Sequence, residues 1–304
     1  MKTLSFNQAE LLDTYNPNFA MAYGSGVFEQ EGYDKEEKPM VDFIFGTHST
    51  QEWHKNNLQN NKNDYSLISK VFGSKFINYL QKTGAKIYYN PYVQFQGSTI
   101  KYWIMSMDDI VQDLQEWKTL YVAWRLQKPV KILSTTPEVQ QAIEMNLEHA
   151  LNTALLLLPE NFTQEELYMT ITGLSYTGDS RMKYWENPKK VENIVKKNQE
   201  GFIELYKNSI KDKGNIITSL NTGNYQQDKT QKTSELLYQK LPINLKNKIE
   251  FTSDQEQLSQ RIKAAITSIV NAPSKEQTIK GFFTAWPIKS FKYSVEKIKK
   301  ARKK

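Results

Sequence analysis

A glycine-rich turn followed by an acid inside a strongly β-prone run constrains this chain more than any other feature. Tyr23-Gly24-Ser25-Gly26-Val27-Phe28 precedes a charged stretch and then Met40-Val41-Asp42-Phe43-Ile44-Phe45. Glycine has no Cβ, so backbone N–H groups at such a turn approach a triphosphate closely. A carboxylate on the next strand is then suited to a divalent cation that bridges the phosphates. Gly-Ser-Gly alone is more often a plain turn; its weight here comes from lying between β-prone segments with Asp42 following. The usual pattern carries a second acid two residues later, and that position is Ile44. A second carboxylate must come from elsewhere. Asp108, Asp109 and Asp113 are candidates, and each reads more simply as a helix cap or a solvated helix-face residue.

The surrounding pattern mixes strands and helices. A short helix over 7–14 leads to strands at 19–24 and 40–46. Helices follow at 50–60 and 66–82, then β-rich runs at 86–90, 92–95 and 98–106. Helices at 108–117 and 120–126 and a strand at 129–133 close this part. From Pro137 the pattern is helical: Val139, Ile143, Leu147, Ala150, Leu151, Ala154, Leu155 and Leu158 share one face. Thr163 with Glu166 three residues on is a capping-box signature. Further helices are expected over 189–211 and 231–270, separated by a polar loop at 221–229. The expected class is α+β, with one domain over 1–133, a helical domain over 134–274 and a tail over 275–304.

Charge separates the tail from the rest. The chain has 304 residues and a net charge of +7. Residues 275–304 hold ten Lys or Arg against two Glu, which leaves thirty Lys and Arg against thirty-one Asp and Glu before them. A nearly neutral body with a basic tail fits an anionic membrane surface better than a nucleic acid, and no nucleic-acid partner is expected. Ile279, Phe282, Phe283 and Trp286 recur at helical spacing. After Pro287, Ile288, Phe291, Val295 and Ile298 continue an apolar face with Lys289, Lys292, Lys297, Lys299 and Lys300 around it. Such a basic amphipathic helix suits the membrane interface. No run approaches the roughly 20 apolar residues that span a bilayer. The N-terminus lacks a signal-peptide core and the look of a transit peptide. With no cysteine, disulfides, thiolate zinc sites and cysteine nucleophiles are excluded, and hard cations with oxygen ligands remain.

Other candidates carry plain alternatives. Arg125 and Lys128 stand near a helix-to-strand join, one suited to grip phosphate with two N–H groups, the other a point charge. Scattered surface cations are equally common. Lys101 lies in a β-rich run, as a cleft residue or on an edge strand. Asp179 and Arg181 either pair and cap a turn or reach a triphosphate. His54 packs or caps a helix, or it orients a sugar or base.

Several segments in order resemble one family. They are Tyr-Gly-Ser-Gly-Val-Phe from Tyr23, Val-Asp-Phe-Ile-Phe from Val41, Trp53-His54 with Asn57, Tyr65-Ser66, and Ile100-Lys101-Tyr102. Next come Asp113-Leu114 with Trp117, Arg125 with Lys128-Pro129-Val130, Leu156-Leu157-Leu158-Pro159-Glu160, and Leu174-Ser175-Tyr176 with Gly178-Asp179 and Arg181-Met182. Glu186-Asn187-Pro188, Lys190-Val191 and Asn193-Ile194-Val195 complete the set. Together they resemble the mitochondrial-type phosphatidate cytidylyltransferases, also called the mitochondrial translocator assembly and maintenance family, over nearly the whole chain. The resemblance implies a nucleotidyltransferase domain followed by a winged-helix-like domain. It implies CTP and phosphatidate as substrates, CDP-diacylglycerol and pyrophosphate as products, Mg²⁺, and peripheral attachment to a membrane.

It assigns the Gly24-Ser25-Gly26 turn and Asp42 to the nucleotide and metal and places Lys101, Arg125, Lys128, Asp179 and Arg181 around the cleft. The expected site is then Asp42, Lys101, Arg125 and Lys128 as catalytic residues, Asp42 also on the metal, and Tyr23, Gly24, Ser25, Gly26, His54, Asp179 and Arg181 on the nucleotide. Trp103 and Trp124 stand where the family commonly has glycine, and Asp64 where it commonly has histidine. Members from eukaryotes usually carry a longer, targeted N-terminus. The expectation is therefore a bacterial relative on the cytoplasmic face of its membrane, with the matrix side of the mitochondrial inner membrane as the alternative. Two other functions compete: nucleotide transfer to a soluble acceptor such as RNA, and a non-catalytic membrane-bound scaffold.

Overall fold

The structure is a computed structural model that describes residues 6–27, 40–177 and 189–284, with side chains described as far as residue 271. Helix α1 (Gln8–Tyr15) begins where the Asn7 side chain accepts from the Ala9 N–H, and it ends on left-handed Asn16. Strands β1 (Phe19–Tyr23) and β2 (Val41–Thr47) pair antiparallel. Helices α2 (Thr50–Asn60) and α3 (Leu67–Gln81) follow, capped by Ser49 and Ser66. The β-rich region forms β3 (Tyr88–Phe95) and β4 (Ser98–Ser106). The two runs expected at 86–90 and 92–95 belong to one strand. Its register shifts between Asn90 and Val93, where Pro91 lacks an N–H and Tyr92 has φ 55°. Proline is tolerated there because β3 is an edge strand.

Helices α4 (Met107–Glu116) and α5 (Ala123–Leu126) lead to β5 (Lys131–Ser134). The sheet order is β3-β4-β2-β1-β5, with β2 and β4 parallel and every other pair antiparallel. Its central strands are rich in aromatic and β-branched residues because both faces are covered.

The second half is built on α6 (Pro137–Leu157). Thr136 caps it and Pro137 occupies its first turn, where a missing N–H costs nothing. Next come β6 (Asn161–Thr163) and α7 (Gln164–Leu174), which starts with the expected Thr163/Glu166 capping box. Helices α8 (Lys190–Lys197) and α9 (Gln199–Lys211) precede β7 (Ile217–Asn221) and β8 (Asn224–Gln227). These two strands form a hairpin in which β8 falls inside the polar loop expected at 221–229 and β7 mostly precedes it, and they join β6 in the order β6-β8-β7. The polar outward face of β7 hid it from a hydrophobicity reading. Helices α10 (Gln231–Gln239), α11 (Ile243–Lys246) and α12 (Gln255–Thr284) complete the described chain.

One core joins the halves. Phe19, Met21, Ile44, Trp103 and Met105 project from one sheet face against α4 and α6. The same cluster continues through Leu151, Leu155, Tyr168 and Phe202 to Ile262 and Ile266. Tyr206 Oη adds a 2.9 Å hydrogen bond to the Gln127 carbonyl. The other sheet face packs Phe43, Phe45, Tyr102 and Ile104 against α1 and α2.

Candidate active site

Strand register assembles the centre of the site. Tyr23 pairs with Asp42 across β1 and β2, and Asp42 pairs with Lys101 across β2 and β4. Directly opposed residues share a face, and this face is the one that carries Ile44 and Trp103 into the common core. Strand β4 lies inside the sheet, so the edge-strand explanation of Lys101 does not hold. Ile44, at the position of the absent second acid, is fully buried and stands between Met21 and Trp103 on the neighbouring strands.

The glycine turn folds against the start of β2. The Val27 N–H donates to the Gly24 carbonyl at 3.1 Å. Gly24 has φ +81°, and a Cβ there would lie 3.5 Å from Asp42 Oδ2. At Gly26 a Cβ would lie 2.9 Å from Val41 Cα. Any larger residue at Gly26 would lift the turn away from the strand.

From this centre a row of cations set among aromatic rings runs into the second half. Lys101 Nζ lies 4.3 Å from the Trp103 ring centre and 5.3 Å from that of Tyr89. Trp103 packs on Tyr89 at 4.5 Å and meets Tyr121 edge-on at 5.6 Å. The Arg125 guanidinium lies 4.2 Å from Tyr121, 4.4 Å from Trp124 and 5.0 Å from Tyr23, and donates to the Tyr121 carbonyl. Lys128 Nζ stands 3.8 Å from the Trp124 ring and 5.5 Å from Tyr176, and donates to Ser175 Oγ at 3.3 Å. Lys190 continues the row, 5.7 Å from Tyr176. Rings hold a cation through their quadrupole and bring no formal charge to cancel it. The two tryptophans that depart from the family pattern therefore line the cationic row.

Titration follows from this crowding. Burial of the ammonium, with Arg125 and Lys190 adding repulsion, pushes Lys128 well below the usual lysine range. Burial raises the Tyr23 hydroxyl; Arg125 opposes that shift and Asp42 adds to it. Tyr23 is thus a hydrogen-bond donor at neutral pH. Among the described residues no three His, Asp or Glu side chains gather as a metal cluster. Asp42 beside the turn nevertheless fits a hard cation that keeps few protein ligands and takes the rest from phosphates.

Of the three other acids, Asp113 and Asp109 have structural tasks. Asp113 is buried and accepts from Thr119 N (2.7 Å), Thr119 Oγ1 (2.9 Å), Val122 N (2.8 Å) and Ala123 N (3.1 Å). It thereby fixes the loop that delivers Arg125. Asp109 pairs with Lys86 at 2.6 Å and accepts from Ser106. Asp108 is exposed in the first turn of α4.

His54 does not join the site. It is fully buried, with Nδ1 2.8 Å from Tyr65 Oη and Nε2 2.8 Å from Gln81 Oε1. The Gln81 amide donates to the Ile104 carbonyl at 3.0 Å, which leaves its oxygen to accept. His54 Nε2 therefore carries the hydrogen, and Nδ1 accepts from Tyr65. Asn57 donates to both Tyr65 and Tyr102, and Tyr102 donates to Asp64 at 2.7 Å. Burial lowers the His54 pKa to about 4. Both ring nitrogens are satisfied within the core, so the expected contact of His54 with the nucleotide is corrected.

Asp179, Arg181, Trp286, Lys289, Phe291, Lys292, Lys297, Lys299 and Lys300 lie outside the described residues, and Phe282 and Phe283 fall in the last turns of α12. The sequence reading missed Tyr89, Tyr121, Tyr176 and Lys190 as site residues. A spacing signal existed for Tyr121 alone, four residues before Arg125, whereas Tyr89, Tyr176 and Lys190 arrive from distant parts of the chain.

Comparisons with known proteins give the family. The family described as "Phosphatidate cytidylyltransferase, mitochondrial" matches residues 9–300. A Schizosaccharomyces pombe protein of that name is 38% identical, covering 92% of this chain and 79% of the relative. The Mus musculus protein of the same name is 37% identical over 93% of this chain and 90% of its own length. The Dictyostelium discoideum one is 34% identical over 97% and 84%. By the extent of these matches, the chain belongs to the mitochondrial phosphatidate cytidylyltransferase family.

Proposed function

We infer that this protein is a phosphatidate cytidylyltransferase that makes CDP-diacylglycerol and pyrophosphate from CTP and phosphatidate. The observation that carries the chemistry is the Tyr23–Asp42–Lys101 ladder under the glycine turn, continued by Arg125 and Lys128. In the reaction an oxygen of the phosphatidate phosphate forms a bond to the α-phosphorus of CTP. The bond from that phosphorus to the β-phosphate bridging oxygen breaks, and pyrophosphate leaves. A phosphate monoester is already ionised near neutral pH, so no strong general base is required. Catalysis is then mainly positioning and charge neutralisation.

Family membership supports a divalent metal, for which Mg²⁺ is our reading and Asp42 the carboxylate that would hold it. Bound there, the cation supplies charge neutralisation across the phosphates. The turn at Gly24, Ser25 and Gly26 would offer backbone N–H groups to the triphosphate. Tyr23 would donate to a phosphate oxygen, and Lys101 and Arg125 would neutralise charge on the leaving group. Lys128 would receive the lipid phosphate. Asp179 and Arg181 are read as further nucleotide contacts by resemblance. The small β6-β8-β7 sheet among helices supports a winged-helix-like second half.

No helix among the described residues is long and apolar enough to cross a membrane. Peripheral attachment through the basic tail is our reading for a lipid substrate that stays in the bilayer. The relatives above are named as mitochondrial, which favours the matrix-side alternative over a bacterial face. The test is formation of labelled CDP-diacylglycerol from CTP and phosphatidate vesicles with Mg²⁺. Product from the wild type and none from Asp42→Ala supports the assignment. No product from the wild type across lipids and metals sinks it.

A further inference from the structure

Helix α3 presents the most exposed apolar face of the described chain. Leu67, Val71, Phe72 and Tyr79 are 74, 78, 63 and 70% exposed, whereas no other large hydrophobic side chain among the described residues exceeds 55%. The opposite side of α3 packs inward through Ser69, Ile77, Asn78 and Gln81. The exposure is thus a property of one face of a docked helix. Gly73 interrupts the helix with φ +73° and has no atom within 4 Å of a built Cβ, so the break stands in open space. Phe72 and Phe76 pack on each other across it at 5.0 Å. An apolar patch held out in this way on a water-soluble surface marks an interaction site.

Charge selects the partner. From Tyr65 to Met107 the sequence has no Asp or Glu and five lysines. Lys86 is occupied with Asp109 and Lys101 lies in the cleft. Lys70 and Lys75 on α3 and Lys82 at its C-terminal cap remain, and Lys75 and Lys82 are exposed. Helix α12, which runs toward the basic tail, packs against both α3 and the edge strand β3. Strand β3 carries Tyr89, the ring beside Lys101.

We propose that the exposed face of α3 is a second membrane-contact element that inserts Val71 and Phe72 into an anionic lipid surface. The proposal rests on the reading that the substrate is a bilayer lipid. Apolar side chains at the acyl boundary and lysines at the headgroups are the arrangement such a surface selects. Helix α12 lies alongside α3 on the β3 side of the sheet.

The test compares the full-length protein with Val71→Ser/Phe72→Ser in sedimentation with vesicles of phosphatidylcholine containing phosphatidate. Leu236→Ser/Ile243→Ser, which alters exposed apolar residues of the second half, is the control. The α3 variant is expected to lose about tenfold in partitioning while the control keeps the wild-type value. Turnover on detergent-dispersed phosphatidate, CTP binding and melting temperature should match the wild type. Unchanged partitioning overturns the proposal. So does a wild-type dimer that the α3 variant converts to a monomer, which would assign the face to a second copy. Stronger partitioning after removal of residues 285–304 would assign it to the tail and also overturn it. If the wild type makes no CDP-diacylglycerol from any phosphatidate, the functional reading falls, and the partition result still decides the role of α3.

Discussion

The two faces of the five-stranded sheet each hold a polar cluster among aromatic rings, and the clusters have opposite character. On one face Tyr23, Asp42, Lys101 and Arg125 line a cleft in which rings surround the cations. On the other, His54, Asn57, Tyr65, Gln81, Tyr102 and Asp64 form a chain of short hydrogen bonds in which donors meet acceptors. A saturated network buried in a core specifies structure, because an unpaired member costs more than a formed bond gains. The open face instead sets the cations of Lys101 and Arg125 among neutral rings beside the Asp42 carboxylate, with charged groups of both signs on one face. Residue type therefore says less than which neighbours surround the side chain.

The sharpest way to break this contrast is Asp42→Ala. It should lower kcat/KM for CDP-diacylglycerol formation by about a thousandfold or more, with a near wild-type melting temperature. A comparable loss from an alteration on the closed face, in protein that remains folded, would dissolve the distinction.

His54→Phe tests that closed face. It strands Tyr65 Oη and Gln81 Oε1 and should cost about 2–4 kcal/mol in denaturant unfolding, while turnover per folded molecule stays close to wild type. The pH dependence has a definite sign. His54 has its folded pKa lowered to about 4 from 6.5. Above pH 6.5 both states are neutral at this site and it adds no slope. Below 6.5 the unfolded chain takes up a proton that the folded protein refuses. Stability then falls by up to about 1.4 kcal/mol per pH unit until about pH 4. His54→Phe should flatten that part of the curve.

Arg125→Lys keeps the charge but loses the planar fork seated between Tyr121 and Trp124. A fall of about 10–100-fold in kcat/KM is expected, measured with CTP and phosphatidate varied separately. An unchanged rate would mean that only net charge matters on the open face.

The smallest effect belongs to Lys128. Its lowered pKa means that the ammonium is lost at a lower pH than for an ordinary lysine. KM for phosphatidate should therefore begin to rise on the alkaline side, by roughly threefold to tenfold as the charge is removed. Lys128→Arg should move that rise beyond the measured range. If both proteins share one alkaline limb, Lys128 is not the group that holds the anion.

Local signals were legible where the chemistry is local. The Thr163/Glu166 capping box, the Pro137 start of α6 and the glycine turn before Asp42 all rest on interactions within a few residues, and each is found. The hairpin of β7 and β8 was missed because its exposed side chains carry no hydrophobic period. His54 was misread because its partners Tyr65 and Gln81 lie 11 and 27 residues away.

The sequence by itself determined the α+β class, the separation of charge between body and tail, and the order of motifs that marks the family. Those features are carried by residue type and spacing along one chain. Only the tertiary structure decided that Lys101 stands beside Asp42, since their pairing is a matter of strand register across 59 positions. It alone decided that Asp113 holds the loop that delivers Arg125, and that α3 turns Val71 and Phe72 outward. The reason is physical: a side chain's role depends on which neighbours arrive to satisfy it, and those neighbours are brought by packing from far along the chain.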